Sequence, residues 1–255
     1  MARMPVLFVG HGSPMNAIEQ NTFSDRWIAL GKEIPRPEAI LCVSAHWYTR
    51  GTRLNTAAVP NMIYDMYGFP DELYRVQYPV PGSPKFARQA KELLGDLAKT
   101  DNGWGLDHGA WSVLKRMFPG ADIPVFQLSV DAASPLEKHY AIGKALRPLR
   151  EYGVLILGSG NIVHNLAKVN WNLPGGYSWA ADFNGYIKTN VLTRQDENAI
   201  RYERAGSSAY YAFTMPDHYA PLLYALGATG EEDEISVFND ACVMGSLSMT
   251  SYRFG

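Results

Sequence analysis

The chain has 255 residues, of which 47% are hydrophobic and 19% are charged, a composition typical of a globular protein with a sizeable core. The net charge of −2 and the lack of a long basic run argue against a nucleic-acid partner. No apolar stretch approaches the roughly 20 residues that cross a bilayer, and residues 1–5 lack a signal-peptide core. We therefore expect a cytoplasmic protein with no membrane partner.

Cysteine usage excludes one class of metal site. The only two cysteines, Cys42 and Cys242, each lie inside an apolar run. This placement is typical of small buried side chains in a protein from a reducing compartment. A cysteine-based zinc site is therefore excluded. Any metal must be held by carboxylates or by the six histidines, which are His11, His46, His108, His139, His164 and His218.

Strands and helices are predicted to alternate along the chain. Short apolar runs predict strands at 5–10, 39–45, 124–130, 153–157 and 235–244, and a shorter alternating stretch lies at 52–58. Helical periodicity predicts helices at 21–32, 83–97, 111–118, 134–151, 177–192, 197–205 and 221–226. Ser83 before Pro84 predicts a helix start, and Ser134 with Glu137 predicts a capping box.

This pattern contains no repeat, linker or break in composition. It predicts a single α/β domain over residues 1–255, with a central, largely parallel or mixed sheet flanked by helices. One segment, 60–81, has aromatic residues interleaved with proline and glycine and no clean period. It is either an irregular segment packed on the surface or a loop that covers a site with aromatic walls.

Three histidines share one sequence context. His11 follows Val-Leu-Phe-Val-Gly, His46 follows Leu-Cys-Val-Ser-Ala, and His164 comes shortly after Val-Leu-Ile-Leu-Gly. If these strands are parallel, all three histidines lie at the same edge of the sheet, where ligands of open α/β folds bind. Each one alone is better explained as a polar loop residue. Their shared context favours a metal site.

The other histidines are less constrained by the sequence. His218, in Met-Pro-Asp-His-Tyr, either points inward as a fourth candidate ligand or faces solvent while Asp217 caps a helix. His108, in a glycine-rich loop, either contacts substrate or only orders the loop. His139 lies inside a predicted helix and is expected to be structural or on the surface.

Imidazole nitrogens suit divalent zinc and iron. Three protein ligands leave positions open for substrate and for water or oxygen. A further histidine near those positions can accept a proton at neutral pH. His164 fits that role, and it equally fits the role of a fourth ligand.

Five short motifs occur in order along the chain: G-H-G-S-P-M-N at 10–16, S-A-H-W at 44–47, D-H-G-A-W at 107–111, G-S-G-N-I-V-H-N at 158–165 and P-D-H-Y-A-P-L-L at 216–223. Together with M-G-S-L-S-M at 244–249 they resemble the DODA-type branch of the class III extradiol ring-cleavage dioxygenases, in the LigB superfamily. The resemblance extends from residue 5 to the end of the chain.

The resemblance implies a mononuclear non-haem metal in an α/β fold. It implies that O2 cleaves a catechol, DOPA or a similar one, beside its two hydroxyl groups to give a semialdehyde. His11 and His46 match the family's metal ligands, and His218 matches its metal-associated histidine. His164 matches a residue that serves as acid/base in one branch and as a neighbour of the metal in another. His108 would hydrogen-bond the substrate or oxygen.

One difference concerns the third ligand, which is a glutamate in the protocatechuate branch, whereas this chain offers His218. Zinc binds readily to all-histidine sites. Fe(II) is nevertheless expected for ring cleavage, because zinc has no accessible redox change. Two alternatives stay open: a zinc-dependent hydrolase, and a non-catalytic adaptor of the same superfamily. The partners implied are a small catechol and O2, in a monomer or a small homo-oligomer.

Overall fold

The computed structural model describes residues 3–255. The strands are β1 (Val6–Gly10), β2 (Ala39–Thr49), β3 (Thr52–Leu54), β4 (Ala98–Thr100), β5 (Val125–Asp131), β6 (Val154–Gly160), β7 (Ile235–Phe238), β8 (Cys242–Val243), β9 (Leu247–Ser248) and β10 (Ser251–Phe254). The α-helices are α1 (Thr22–Glu33), α2 (Asp71–Tyr74), α3 (Pro84–Leu94), α4 (His108–Met117), α5 (Leu136–Leu146), α6 (Ser178–Leu192), α7 (Asp196–Ile200), α8 (Ser207–Ala212) and α9 (Ala220–Gly227). Short 3₁₀ helices cover Pro14–Ala17, Gly95–Leu97, Arg147–Tyr152, Leu166–Lys168 and Tyr202–Ala205.

Eight strands form one mixed sheet in the order β4-β3-β5-β2-β6-β1-β10-β7, and β8 pairs with β9 separately. The central neighbours β5, β2, β6 and β1 run parallel, whereas β10 is antiparallel to both β1 and β7. The predicted α/β class is therefore confirmed. The parallel centre places the carboxyl ends of β1, β2 and β6 side by side.

Helices cover both faces of the sheet, as parallel strands require. On β1, Val6 and Phe8 point into a core shared with α3, α5, α6 and α9, whereas Leu7 and Val9 point into a core shared with α1 and α4. The irregular segment 60–81 packs into this second core, with Leu73 buried. It is therefore a packed part of the fold.

Some predicted boundaries were wrong. The last predicted strand ends at Phe238 rather than at 244, and β10, between β1 and β7, was not predicted. The capping box is absent because α5 begins after Ser134, whose hydroxyl instead donates to Asp131 Oδ2 at 2.5 Å. Ser83 does precede α3, without a side-chain hydrogen bond to the helix. Across residues 3–255, no helix combines the length and apolar character needed to span a membrane.

Candidate metal centre

His11 and His46 are placed by neighbouring parts of the sheet. His11 directly follows β1, and its backbone N–H continues the β1–β6 ladder by donating to Gly160 O at 3.0 Å. His46 was predicted just after a strand but lies within β2, where the pairing with β5 shifts register between Val43 and Tyr48. Such irregularities redirect side chains and are common beside active sites.

His218 is brought to the same edge by the segment before α9. A Cβ atom at Gly160 would lie only 2.1 Å from His218 O, so glycine is what allows this close approach. The N–H of Asn161 donates to the same carbonyl at 2.8 Å. The His218 side chain is buried, and its solvent-facing alternative was therefore wrong.

The three histidines converge. His11, His46 and His218 each offer one ring nitrogen, and these atoms all lie within 4.8 Å of one another. Nε2 of His11 and Nε2 of His46 are 3.2 Å apart. The ring centroid of His218 is 5.2 Å from that of His11 and 5.0 Å from that of His46.

A hydrogen-bond chain fixes the tautomer of His11. The Ser159 hydroxyl donates its only proton to Gly109 O at 2.5 Å, because a carbonyl oxygen can only accept. The contact of 3.0 Å between Ser159 Oγ and His11 Nδ1 therefore has the imidazole as donor. Neutral His11 thus carries its proton on Nδ1 and leaves Nε2 as a free lone pair.

Asp65 lies beside two other histidines. Its Oδ2 accepts from His108 Nδ1 at 3.0 Å, and its Oδ1 accepts the backbone N–H of His108 at 2.8 Å. A carboxylate only accepts, so the neutral His108 ring carries its proton on Nδ1. The same Oδ2 lies 3.2 Å from His46 Nδ1, a close electrostatic contact.

These observations test whether a divalent metal fits. Nε2 of His11, which carries no proton, lies 3.2 Å from Nε2 of His46, so a cation can take the place of a bridging proton between them. Two nitrogens bound to one ion at about 2.1 Å are ~3.0 Å apart at the octahedral angle and ~3.4 Å apart at the tetrahedral angle, and the observed distance lies between these values. Among the described residues, the buried Nδ1 of His218 has no hydrogen-bond partner, although it lies 3.2 Å from Asp217 Oδ1. The residues present fit a divalent metal.

His164 lies beside this triad rather than in it. Its ring stacks on His218 with centroids 3.5 Å apart and an interplanar angle of 4°. The geometry therefore brings together three of the four histidines predicted as ligands and places the fourth against one of them.

His108 begins α4 rather than lying in the predicted loop, and its ring centroid is 5.8 Å from that of His11. The preceding Asp107 caps the helix by accepting from Ala110 N at 3.2 Å. Gly109 lets this helix approach β2, because a Cβ atom there would lie 2.8 Å from the His46 ring.

His11, His46, His164 and His218 are held in their neutral form. Burial lowers the pKa of His46 to about 3 and that of His164 to about 4. Burial and the neighbouring imidazoles also hold the pKa values of His11 and His218 well below the ordinary range. Neutral imidazole is the form that binds metals.

The sequence did not single out two residues that contact the histidines, Asp65 and Ser159. Ser159 belongs to the motif at 158–165, so its position next to a predicted strand end could have indicated it. Asp65 lies in a segment without periodicity, which offered no such indication. His139 was expected to be structural or on the surface, and it is buried with Nδ1 at 2.9 Å from the Tyr224 hydroxyl.

Comparison with known proteins decides the family. Residues 5–255 match the family described as the catalytic LigB subunit of aromatic ring-opening dioxygenase. The chain belongs to this LigB family. It is therefore a ring-cleavage dioxygenase of the extradiol type, an oxidoreductase, as its motifs had indicated. This membership decides against the hydrolase.

Full-length relatives agree with this assignment to the LigB family. The chain is 44% identical to 4,5-DOPA dioxygenase extradiol of Escherichia coli K12 over 99% of its own length and 95% of that protein. It is 37% identical to 4,5-DOPA dioxygenase extradiol of Beta vulgaris over 97% of its length and 95% of that protein. A crystal structure of an uncharacterised Escherichia coli K12 protein superposes with a TM-score of 0.87 at 40% identity, covering 99% of this chain and 100% of the other.

Proposed function

We propose that this protein inserts O2 into the ring of 4,5-DOPA or a similar catechol, at one divalent metal held by His11, His46 and His218. The observation that carries the proposal is the convergence of three neutral imidazoles, two buried and one partly buried, at the carboxyl edge of the parallel strands. The 44% identity to a full-length 4,5-DOPA dioxygenase supports the substrate class. We further propose that residues 1–255 form one catalytic domain, active as a monomer or small homo-oligomer.

The metal supplies one part of the chemistry. When bound, Fe(II) acts as a Lewis acid toward the two catechol oxygens and gives a redox route to O2 that Zn(II) lacks. The chain's part is to hold three neutral ligands and to leave the remaining positions of the metal to substrate and oxygen. Since imidazoles add no negative charge, the full charge of the ion remains available to stabilise a catecholate.

Two further histidines are proposed to act on the substrate. His164 accepts a proton from the catechol, because its partly buried ring is neutral and stacks on the proposed metal ligand His218. His108 donates Nδ1–H to Asp65, so its Nε2 is the nitrogen left to hydrogen-bond a substrate oxygen. Both rings thereby orient the catechol and control its protons.

The test is oxygen consumption with a panel of catechols. Protein loaded with Fe(II) is expected to consume one O2 per catechol and to form a yellow ring-opened semialdehyde, with 4,5-DOPA among the substrates cleaved. The same protein loaded with Zn(II) serves as the control and should consume none. Absence of uptake with every catechol in the Fe(II)-loaded protein would contradict the proposed function.

A further inference from the structure

Asp65 is the one carboxylate that contacts two histidines of the cluster, and its position is set by the backbone. The N–H of Ile63 donates to Leu106 O at 2.9 Å, and the N–H of Leu106 donates to Asn61 O at 2.6 Å. Gly105 permits this pairing, since a Cβ atom there would lie 2.3 Å from Asn61 O. The irregular segment 60–81 is therefore tied down immediately before Asp65.

The two oxygens of this carboxylate have separate tasks. Oδ1 accepts the backbone N–H of His108 at 2.8 Å, as a cap for the first turn of α4 would. Oδ2 is directed instead at two ring nitrogens, Nδ1 of His46 at 3.2 Å and Nδ1 of His108 at 3.0 Å. Among the described residues, only these two side chains lie within ion-pair distance of Asp65.

We propose that Asp65 is a positioning residue that holds the Nδ1 protons of His46 and His108, and so presents Nε2 of His46 to the metal. The inference rests on the proposed metal site but not on the identity of the catechol. Carboxylates that accept from metal-bound imidazoles orient the ring and increase its basicity as a ligand. A capping role alone would use Oδ1 and would leave the tautomer of His46 unaffected.

An amide cannot replace the carboxylate here. Three nitrogens converge on Asp65: Nδ1 and the backbone N of His108, which both donate to it, and Nδ1 of His46 at 3.2 Å. Asparagine offers a single acceptor oxygen, and its NH2 group toward His46 would favour a lone pair on Nδ1. The ring proton would then move to Nε2 of His46, the atom that faces His11.

The test measures zinc affinity and tautomer in full-length protein stripped of metal. In competition with a chromophoric chelator, Asp65→Asn is expected to bind Zn(II) about 10–100-fold more weakly than the wild type. The matched control is Asp71→Asn, in the same segment, whose side chain is 90% exposed. It should bind Zn(II) as the wild type does.

The tautomer is read by long-range ¹H–¹⁵N correlation, with the His46 signals assigned by their loss in His46→Gln. Wild-type His46 should be protonated on Nδ1, and Asp65→Asn should shift the proton to Nε2. Unchanged zinc affinity in Asp65→Asn, or a wild-type His46 protonated on Nε2, would overturn the inference. The wild-type spectrum alone distinguishes the two tautomers of His46, so the inference is tested even if Asp65→Asn does not fold. Because neither readout uses O2 or a catechol, failure of ring cleavage would not be mistaken for failure of this inference.

Discussion

The histidine cluster is built from two regions that support their side chains differently. His11, which follows β1, gives Nδ1–H to Ser159, and His46, within β2, has its Nδ1 3.2 Å from Asp65 Oδ2. In the segments after β6 and before α9, the rings of His164 and His218 stack on each other, and Nδ1 of His218 has no hydrogen-bond partner among the described residues. The sheet region orients ring nitrogens by polar contacts, whereas the other region orients rings by packing.

The difference indicates what each region contributes. A ring held through Nδ1 presents Nε2 in one direction before any metal arrives, which reduces the cost of assembling the site. A ring held by stacking can still adjust when a metal or substrate binds. We therefore expect substitutions in the sheet region to affect metal affinity most directly, and those around His164 and His218 to affect geometry and turnover as well.

The largest effect is expected from removing a sheet-region ligand. His11→Ala or His46→Ala should lower the metal affinity and the rate of ring cleavage by more than roughly 100-fold. That is more than is expected when an outer hydrogen-bond partner of a ligand is removed. Metal content after Fe(II) loading and O2 uptake measure this. His139→Gln, a buried histidine hydrogen-bonded to Tyr224 outside the cluster, is the control and should retain its metal. Full metal content in His11→Ala would show that the sheet region does not hold the ion.

The next largest effect is expected where the second region meets the sheet. Gly160→Ala would place a Cβ atom 2.1 Å from His218 O, so the segment carrying His218 must move. Overpacking of this kind costs about 1–3 kcal/mol of stability, and turnover should fall with it. Thermal unfolding and O2 uptake report the two effects. Gly175→Ala, where an added Cβ atom would meet nothing within 4 Å, should change neither.

A smaller effect is expected from Ser159→Ala, which removes the acceptor for His11 Nδ1–H. A hydroxyl is a weaker acceptor than a carboxylate. Zinc affinity should therefore fall by about 10-fold, at the low end of the range for such partners, and by less than in Asp65→Asn. Competition with a chelator measures both variants, and a larger loss in Ser159→Ala would reverse the assigned order.

The smallest effect on the site is expected from acid acting on a distant ion pair. Burial by itself would raise the pKa of Asp233, but the hydrogen bonds from Arg150 and from the Gly230 N–H, together with the charges of Arg150 and Arg3, outweigh it and lower that pKa from 3.8 to about 2. Because the folded-state pKa is depressed, this stabilisation is present above about pH 4 and is lost as the pH falls toward 2. Thermal unfolding should show the loss in the wild type, and Asp233→Asn should reduce this pH dependence.

The same two regions differ in how far the sequence predicted them. Apolar runs at 5–10 and 153–157 predicted two of the strands, and hence the sheet edge that carries His11. His46 was placed correctly at that edge, although β2 continues past it, because local pattern does not reveal a register shift. The position of Asp65 at the site could not be predicted, because the irregular segment reaches the site only through its tertiary pairing with Leu106.

The central claim is that His11, His46 and His218 hold one metal while Asp65 only positions a ring. Anomalous diffraction from crystals loaded with Fe(II) or Zn(II) tests it directly. The account predicts one peak per chain, bonded to a ring nitrogen of each of the three histidines, with the Asp65 carboxylate hydrogen-bonded to the Nδ1 atoms instead. A peak among His46, Asp65 and His108, the other group close enough to bind an ion, would contradict it.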